Sequence, residues 1–84
     1  MYRLQIKRAA EADLRRLPGP LFERINERIL ALRGEPRPAG VRKLQGREEG
    51  WRVRVGDYRI VYQIDDAGRL ITIVRVRHRR DVYR

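Results

Sequence analysis

Residues 51 to 62 constrain the fold more than any other stretch of this sequence. Two runs of alternating residues, rich in Val, Ile, Trp and Tyr, flank the pair Gly56–Asp57. A two-residue pair of this kind closes tight β-hairpins, because glycine and aspartate tolerate the backbone angles of such turns. We therefore predict a hairpin in which Arg54 lies directly opposite Arg59.

The alternation assigns the hairpin side chains to two faces of a sheet. One face is apolar and carries Trp51, Val53, Val55, Tyr58, Ile60 and Tyr62. The other face carries Arg52, Arg54 and Arg59. Like charges opposite each other destabilise a sheet, so this placement favours a face that binds an anion or an acidic partner. The alternative is a solvated face on which arginine, the commonest surface residue of the chain, falls by chance.

The composition limits the class of protein. With 84 residues, the chain is expected to form one domain, residues 1–84, with a modest core. It has no cysteine, and its only histidine is His78. Disulfides, thiolate chemistry and a multi-histidine metal site are therefore excluded, and we expect neither a metal nor a cofactor.

The charge predicts a polyanionic partner. The net charge is +10 and the isoelectric point is about 11.3, which suits a nucleic acid, a membrane surface or an acidic protein. The sequence shows no basic amphipathic helix, membrane span or signal-peptide pattern, so we expect a cytoplasmic protein that does not bind membranes. All basic residues except Lys7 and Lys43 are arginine, which suits phosphate recognition, although codon usage alone can produce this bias.

The first part of the chain predicts a strand followed by two helices. Residues 2–7 alternate in polarity, and residues 8–17 carry apolar side chains at helical spacing. The segment Pro18–Pro20 interrupts the pattern, and a second helix is predicted from Pro20 to Arg33, with Gly34 as its C-terminal cap. Two helices joined so tightly form a helical hairpin.

The remaining segments complete a sheet. Residues 41–44 predict at most a short strand, residues 46–50 a charged loop, residues 65–68 a turn and residues 70–77 a long strand. In that strand we expect Thr72, Val74 and Val76 on one face and Ile71, Ile73, Arg75 and Arg77 on the other. The order β-α-α-β-β-β predicts an α+β fold, in which an antiparallel-rich sheet carries the helical hairpin on one face and a cationic groove on the other. Arg75 and Arg77 are expected on the cationic side.

Four segments of the sequence resemble toxins of the RelE/ParE superfamily, and in particular its RelE branch of ribosome-dependent mRNA endonucleases. Two of them are specific: the hairpin 51–62 and the ending 78–83, His-Arg-Arg-Asp-Val-Tyr. The segments 9–18 and 43–46 are generic. The resemblance covers nearly the whole chain and implies cleavage of mRNA in the ribosomal A site, with a 2′-hydroxyl attacking the neighbouring phosphate.

The resemblance also implies an active site. The basic and tyrosine positions of RelE-type enzymes correspond here to Arg52, Arg54, Arg59, Arg79 and Tyr83. Some relatives have lysines at the positions of Arg52 and Arg54, and a lysine can act as a base, whereas an arginine stays protonated. These two arginines are therefore interpreted as electrostatic stabilisers, and the general base is left unassigned.

Several further residues are candidates with two interpretations. His78 is either a general acid or base or a turn residue that pairs with a carboxylate such as Asp81. Tyr83 either stacks on a nucleobase or holds the tail against the sheet. The other predicted RNA-binding residues are Lys43, Arg75, Arg77 and Arg80. The remaining aromatic residues, including Phe22, are assigned to the core.

The implied partners are the ribosome, mRNA and a cognate antitoxin, which is expected to be acidic, similar to RelB, and wrapped around the toxin. Two other functions stay open. A ParE-like toxin would poison DNA gyrase through a protein contact, although that branch generally lacks the full basic and tyrosine set. A degenerate relative would bind RNA or its antitoxin without cleavage.

Overall fold

The computed structural model describes residues 1–44 and 50–80, and these form a two-layer α+β fold. Its elements are β1 (Arg3–Ile6), α1 (Arg8–Arg15), α2 (Gly19–Ala31), β2 (Arg42–Lys43), β3 (Trp51–Val55), β4 (Tyr58–Asp65) and β5 (Leu70–His78). They build one sheet with the strand order β1-β5-β4-β3-β2, in which β1 runs parallel to β5 and the other pairs are antiparallel. The predicted fold class is confirmed, and the short segment before the hairpin is the two-residue strand β2.

Both helices end earlier than the sequence predicts. The end of α2 does not use Gly34 as a left-handed cap. Instead, the backbone N–H groups of residues 32–34 donate to carbonyl groups three residues earlier. This tighter turn satisfies the last helical carbonyls, so the predicted glycine cap is wrong.

The core lies between the helices and one face of the sheet. Its fully buried large side chains are Tyr62, Ile25, Ile29, Leu32, Ile60, Ile71 and Ile73. Tyr62 keeps its polar end satisfied, because its hydroxyl donates to the carbonyl of Pro36 at 2.7 Å. Burial raises the pKa of Tyr62 to about 12. The apolar face of the hairpin predicted from the sequence thus contributes to the sheet side of the core.

The prediction that Phe22 belongs to the core is wrong. Its side chain is 38% exposed. It lies in the first turn of α2 and lines an open apolar groove together with Ile6 and Leu17. Leu21 in the same turn packs against the core, whereas Phe22 lines the groove.

The strand β5 departs from strict alternation. The pairs on either side of an irregularity are Val61 with Arg75 and Tyr62 with Ile73. Val74 is therefore an extra residue, as in a β-bulge. Ile71, Ile73 and Val76 are all buried, so the prediction that Val76 and the two isoleucines lie on opposite faces is wrong. The bulge shifts the phase of the strand by one residue.

Candidate functional site

The tight turn of the β3–β4 hairpin forms as predicted. Val55 pairs with Tyr58, and Arg54 pairs with Arg59. Gly56 has a φ of 60°, whereas the following residue has a negative φ. A positive φ at the first loop residue alone is typical of a type II′ turn, which glycine adopts at little cost. The turn therefore places Arg54 of β3 directly opposite Arg59 of β4.

Three arginines form a row across three strands, and we call Arg54, Arg59 and Arg77 the arginine row. Arg59 pairs with Arg54 on β3 and with Arg77 on β5. The Nε atom of Arg77 is buried and, within the described residues, has no hydrogen-bond partner. Like charges at neighbouring positions cost free energy, and a buried unsatisfied donor adds to that cost. A bound anion would offset the repulsion between the arginines.

One end of the arginine row opens into a pocket of about 130 Å³, which we call the hairpin pocket. It is lined by Arg54, Asp57, Tyr58, Arg59 and Arg79. The backbone N–H of Arg79 donates to the carbonyl oxygen of Asp57 at 2.6 Å, so the chain beyond β5 is attached to the hairpin turn. Nε of Arg54 donates to the carbonyl of Gly56 at 2.9 Å. Three arginines from separate segments thus line one small cavity, together with an aspartate and a tyrosine.

His78 lies beside the hairpin pocket but does not line it. The residue pairs with Tyr58, and the two rings meet edge to face with centroids 5.0 Å apart. Nδ1 of His78 accepts the backbone N–H of Arg80 at 3.1 Å. This bond places any proton of the neutral ring on Nε2. His78 is the last residue of β5, and its role stays a prediction.

The remaining predicted catalytic and RNA-binding residues are distributed over the molecule. Lys43 pairs with Trp51, and its ammonium lies 5.9 Å from the centre of the indole ring. Arg52 pairs with Arg42 on β2, and the side chain of Arg80 is exposed. Tyr83 and Asp81, together with Gly46 and most of the charged loop 46–50, lie outside the described residues.

Arg75 is bound to a carboxylate that the sequence analysis did not single out. Asp13 on α1 accepts Nε of Arg75 at 2.8 Å, Nη2 of Arg75 at 3.0 Å and the backbone N–H of Val76 at 2.9 Å. We call this contact the Asp13 clamp. Burial alone would raise the pKa of Asp13, but the bonds from Arg75 and Val76 outweigh it and hold the pKa below its ordinary value. The clamp fixes β5 where the edge strand β1 no longer covers it, and its only sequence signal is an acidic residue beside the buried stripe of α1.

A second acidic cluster lies at the far end of the sheet from the hairpin turn. Asp66 accepts Nη2 of Arg37 at 2.9 Å and the hydroxyl of Tyr2 at 2.6 Å. The bond from Arg37, followed by that from Tyr2, lowers the pKa of Asp66. The guanidinium of Arg37 also lies 4.9 Å from the centre of the Trp51 ring. We call Asp66, Arg37 and Tyr2 the Asp66 cluster, and in it the charge of Arg37 is paired with that of Asp66.

Two features are absent from the part of the chain that the structure describes. Within residues 1–44 and 50–80, no group of three His, Cys, Asp or Glu side chains is placed to hold a metal ion. In the same part of the chain, neither helix has the length and apolar character needed to cross a membrane.

Sequence comparison now identifies the family. Residues 4–83 match the profile of the family described as the ParE toxin of the type II toxin–antitoxin system parDE. Toxin RelG of Mycobacterium tuberculosis is 34% identical over 87 residues, which cover 99% of this chain and 97% of RelG.

Solved structures of relatives have the same fold. The toxin–antitoxin complex RelBE2 of M. tuberculosis superposes with a TM-score of 0.81 at 30% identity, covering 92% of this chain and 96% of that chain. The archaeal RelE–RelB complex of Pyrococcus horikoshii OT3 gives a TM-score of 0.82 at 31% identity, covering 93% and 94%. The protein therefore belongs to the RelE/ParE superfamily of toxins from type II toxin–antitoxin systems. The predicted resemblance is confirmed at the level of the superfamily. The profile carries the ParE name, whereas these relatives carry RelE-type names.

Proposed function

We propose that the protein is a ribosome-dependent endoribonuclease that cleaves mRNA in the ribosomal A site. The observation that carries this proposal is the hairpin pocket together with the arginine row. Both concentrate guanidinium groups on one end of the sheet, and guanidinium groups bind phosphate through paired hydrogen bonds. A toxin acting only through a protein contact has no need of such a phosphate-sized cavity.

The proposed reaction is the attack of a ribose 2′-hydroxyl on the adjacent phosphorus. It needs removal of the hydroxyl proton, stabilisation of negative charge on the phosphorane-like transition state, and protonation of the leaving 5′-oxygen. Arg59 and Arg79 both line the hairpin pocket, and we assign them to the phosphate. Arg52 and Arg54 supply positive charge that favours the ionised 2′-oxygen.

We also propose that the toxin is held inactive by a cognate antitoxin. The relatives from M. tuberculosis and P. horikoshii are present in their structures as toxin–antitoxin complexes. A net charge of +10 favours an acidic partner. An acidic segment lying on the arginine row would neutralise the same groups that bind RNA.

The direct test is cleavage of mRNA on ribosomes with an empty, programmed A site, mapped by primer extension. Wild type is expected to cut within the A-site codon, and Arg59→Ala to lose at least about 100-fold in cleavage rate, as when a transition-state donor is removed. Arg28→Ala removes an exposed arginine of α2 and serves as the matched control. A folded Arg59→Ala variant that cuts at the wild-type rate would remove this residue from the site.

Gyrase inhibition is the second candidate, because the matching family profile is named for ParE. A supercoiling assay separates the two functions. Inhibition of DNA gyrase by a protein that leaves ribosome-bound mRNA intact would replace the endonuclease proposal.

A further inference from the structure

The proposed reaction lacks a proton acceptor among the arginines. A guanidinium stays protonated in proteins and cannot take the 2′-hydroxyl proton. Lys43 on β2 pairs with Trp51 on β3, and its ammonium lies over the indole ring. Nδ1 of His78 accepts a hydrogen bond from the backbone N–H of Arg80. Neither residue lines the hairpin pocket.

The hairpin pocket contains one carboxylate residue, Asp57, among the described residues that line it. A carboxylate is an acceptor-only group when ionised, so it can take a proton from a hydroxyl at hydrogen-bond distance. The residues that line the pocket thus include both types that the attack requires, arginines that can bind phosphate and a residue that can accept a proton.

The backbone of Asp57 is held in place from two sides. It is the second residue of the type II′ turn, whose register is set by the pair Val55 and Tyr58. Its carbonyl oxygen accepts the N–H of Arg79 at 2.6 Å. A catalytic group needs such a fixed support, because misplacement by about 1 Å lowers rates strongly. The contact also joins Asp57 to Arg79, one of the proposed phosphate ligands.

We propose that Asp57 is the general base of the reaction, an inference that rests on the proposed endonuclease function. The carboxylate accepts the 2′-hydroxyl proton as the O2′–phosphorus bond forms and the phosphorus–O5′ bond breaks. The leaving 5′-oxygen takes its proton from solvent water. The products are a 2′,3′-cyclic phosphate and a 5′-hydroxyl, and the proton held by Asp57 returns to solvent.

The other charged residues that line the hairpin pocket are arginines. Arg54 on β3, Arg59 on β4 and Arg79 beyond β5 line the same cavity. From the helical layer, the guanidinium of Arg24 approaches the turn, with Nη1 3.8 Å from the position that a Cβ atom would take at Gly56. These cations stabilise the phosphorane-like transition state that follows proton transfer to Asp57.

The test compares Asp57→Asn with wild type on programmed ribosomes under single-turnover conditions. Asparagine is accepted in tight turns and keeps the shape of the side chain. We expect its cleavage rate to fall about 100-fold or more, while binding to ribosomes that carry a 2′-deoxy-substituted A-site codon changes by less than about twofold. Asp57→Glu is expected to recover part of the rate, and Asp65→Asn, at the other end of β4, to cleave as wild type.

A pH profile distinguishes a proton acceptor from a turn residue. The wild-type cleavage rate is expected to fall on acidification, and the residual rate of Asp57→Asn to lose this dependence. If Asp57→Asn does not fold, Asp57→Ser provides the same comparison.

Cleavage by folded Asp57→Asn or Asp57→Ser at the wild-type rate would overturn the assignment while leaving the endonuclease in place. Absence of cleavage by wild type would instead overturn the proposed function itself.

Discussion

The two ends of the sheet use arginine in opposite ways. In the Asp66 cluster, Arg37 is paired with a carboxylate at 2.9 Å and lies against an aromatic ring. At the hairpin end, Arg59 lies between Arg54 and Arg77 in adjacent strands. At one end an arginine is paired with a carboxylate, and at the other end three arginines occupy adjacent positions on neighbouring strands.

This difference separates residues that hold the fold together from residues that oppose it. A paired arginine stabilises the protein only modestly at an exposed site and more where its carboxylate is shielded. Adjacent like charges destabilise a sheet. A protein that tolerates the second arrangement is expected to use it for binding, because functional sites are often formed at the expense of stability.

The largest stability effect is expected at the Asp13 clamp. Asp13→Ala removes the acceptor of three hydrogen bonds from a carboxylate that is only 9% exposed. It leaves the backbone N–H of Val76 without its partner, so we expect a loss of about 2–3 kcal/mol in the free energy of unfolding. Urea denaturation measures this loss. Glu27→Ala, on the exposed face of α2, is the control and should stay within about 0.5 kcal/mol of wild type. Equal stability of the two variants would show that the clamp contributes nothing.

The same carboxylates make stability depend on pH. The pKa of Asp13 and that of Asp66 are lower in the folded protein than their ordinary values. As the pH falls below about 4, the unfolded state therefore binds these protons first, and the stabilisation present at neutral pH is lost. Urea midpoints at neutral pH and near pH 3 should differ less for Asp13→Asn than for wild type. A pH dependence that the substitution leaves unchanged would contradict the role given to Asp13.

The smallest effect is expected at the arginine row, with the opposite sign. Arg54→Thr relieves the repulsion with Arg59, and threonine suits a strand, so stability should be unchanged or increased by up to about 0.5 kcal/mol. Added salt should stabilise wild type more than this variant, because salt screens the repulsion. A clear loss of stability on Arg54→Thr would show that Arg54 supports the fold, which would contradict the opposite roles given to the arginines at the two ends of the sheet.

Local patterns were sufficient to predict much of this molecule. The register of the hairpin follows from the Gly56–Asp57 pair, because a two-residue turn fixes which side chains lie opposite each other. The helical hairpin follows from apolar spacing and from the prolines between the helices. The resemblance to RelE/ParE toxins depends on the same hairpin.

What the sequence did not predict depends on contacts between distant segments. The sequence pattern around Val74 does not differ from that of a regular strand, so it does not indicate a bulge. Asp13 binds residues 62 and 63 positions away in the chain, and neither position suggests the other. Asp57 was interpreted only as a turn residue, since its place in the hairpin pocket depends on where the chain goes after β5.

The most direct test of the account is the salt dependence of RNA affinity for two matched variants. An uncleavable, 2′-deoxy-substituted mRNA fragment is titrated with wild type, Arg54→Ala and Arg37→Ala over a range of salt concentrations. Each phosphate contact to a single strand contributes about 0.7 to the slope of log affinity against log salt. We predict that Arg54→Ala lowers the slope by about this amount and that Arg37→Ala leaves it unchanged. Equal slopes for the two variants would contradict the claim that the hairpin end is the RNA-binding end of the sheet.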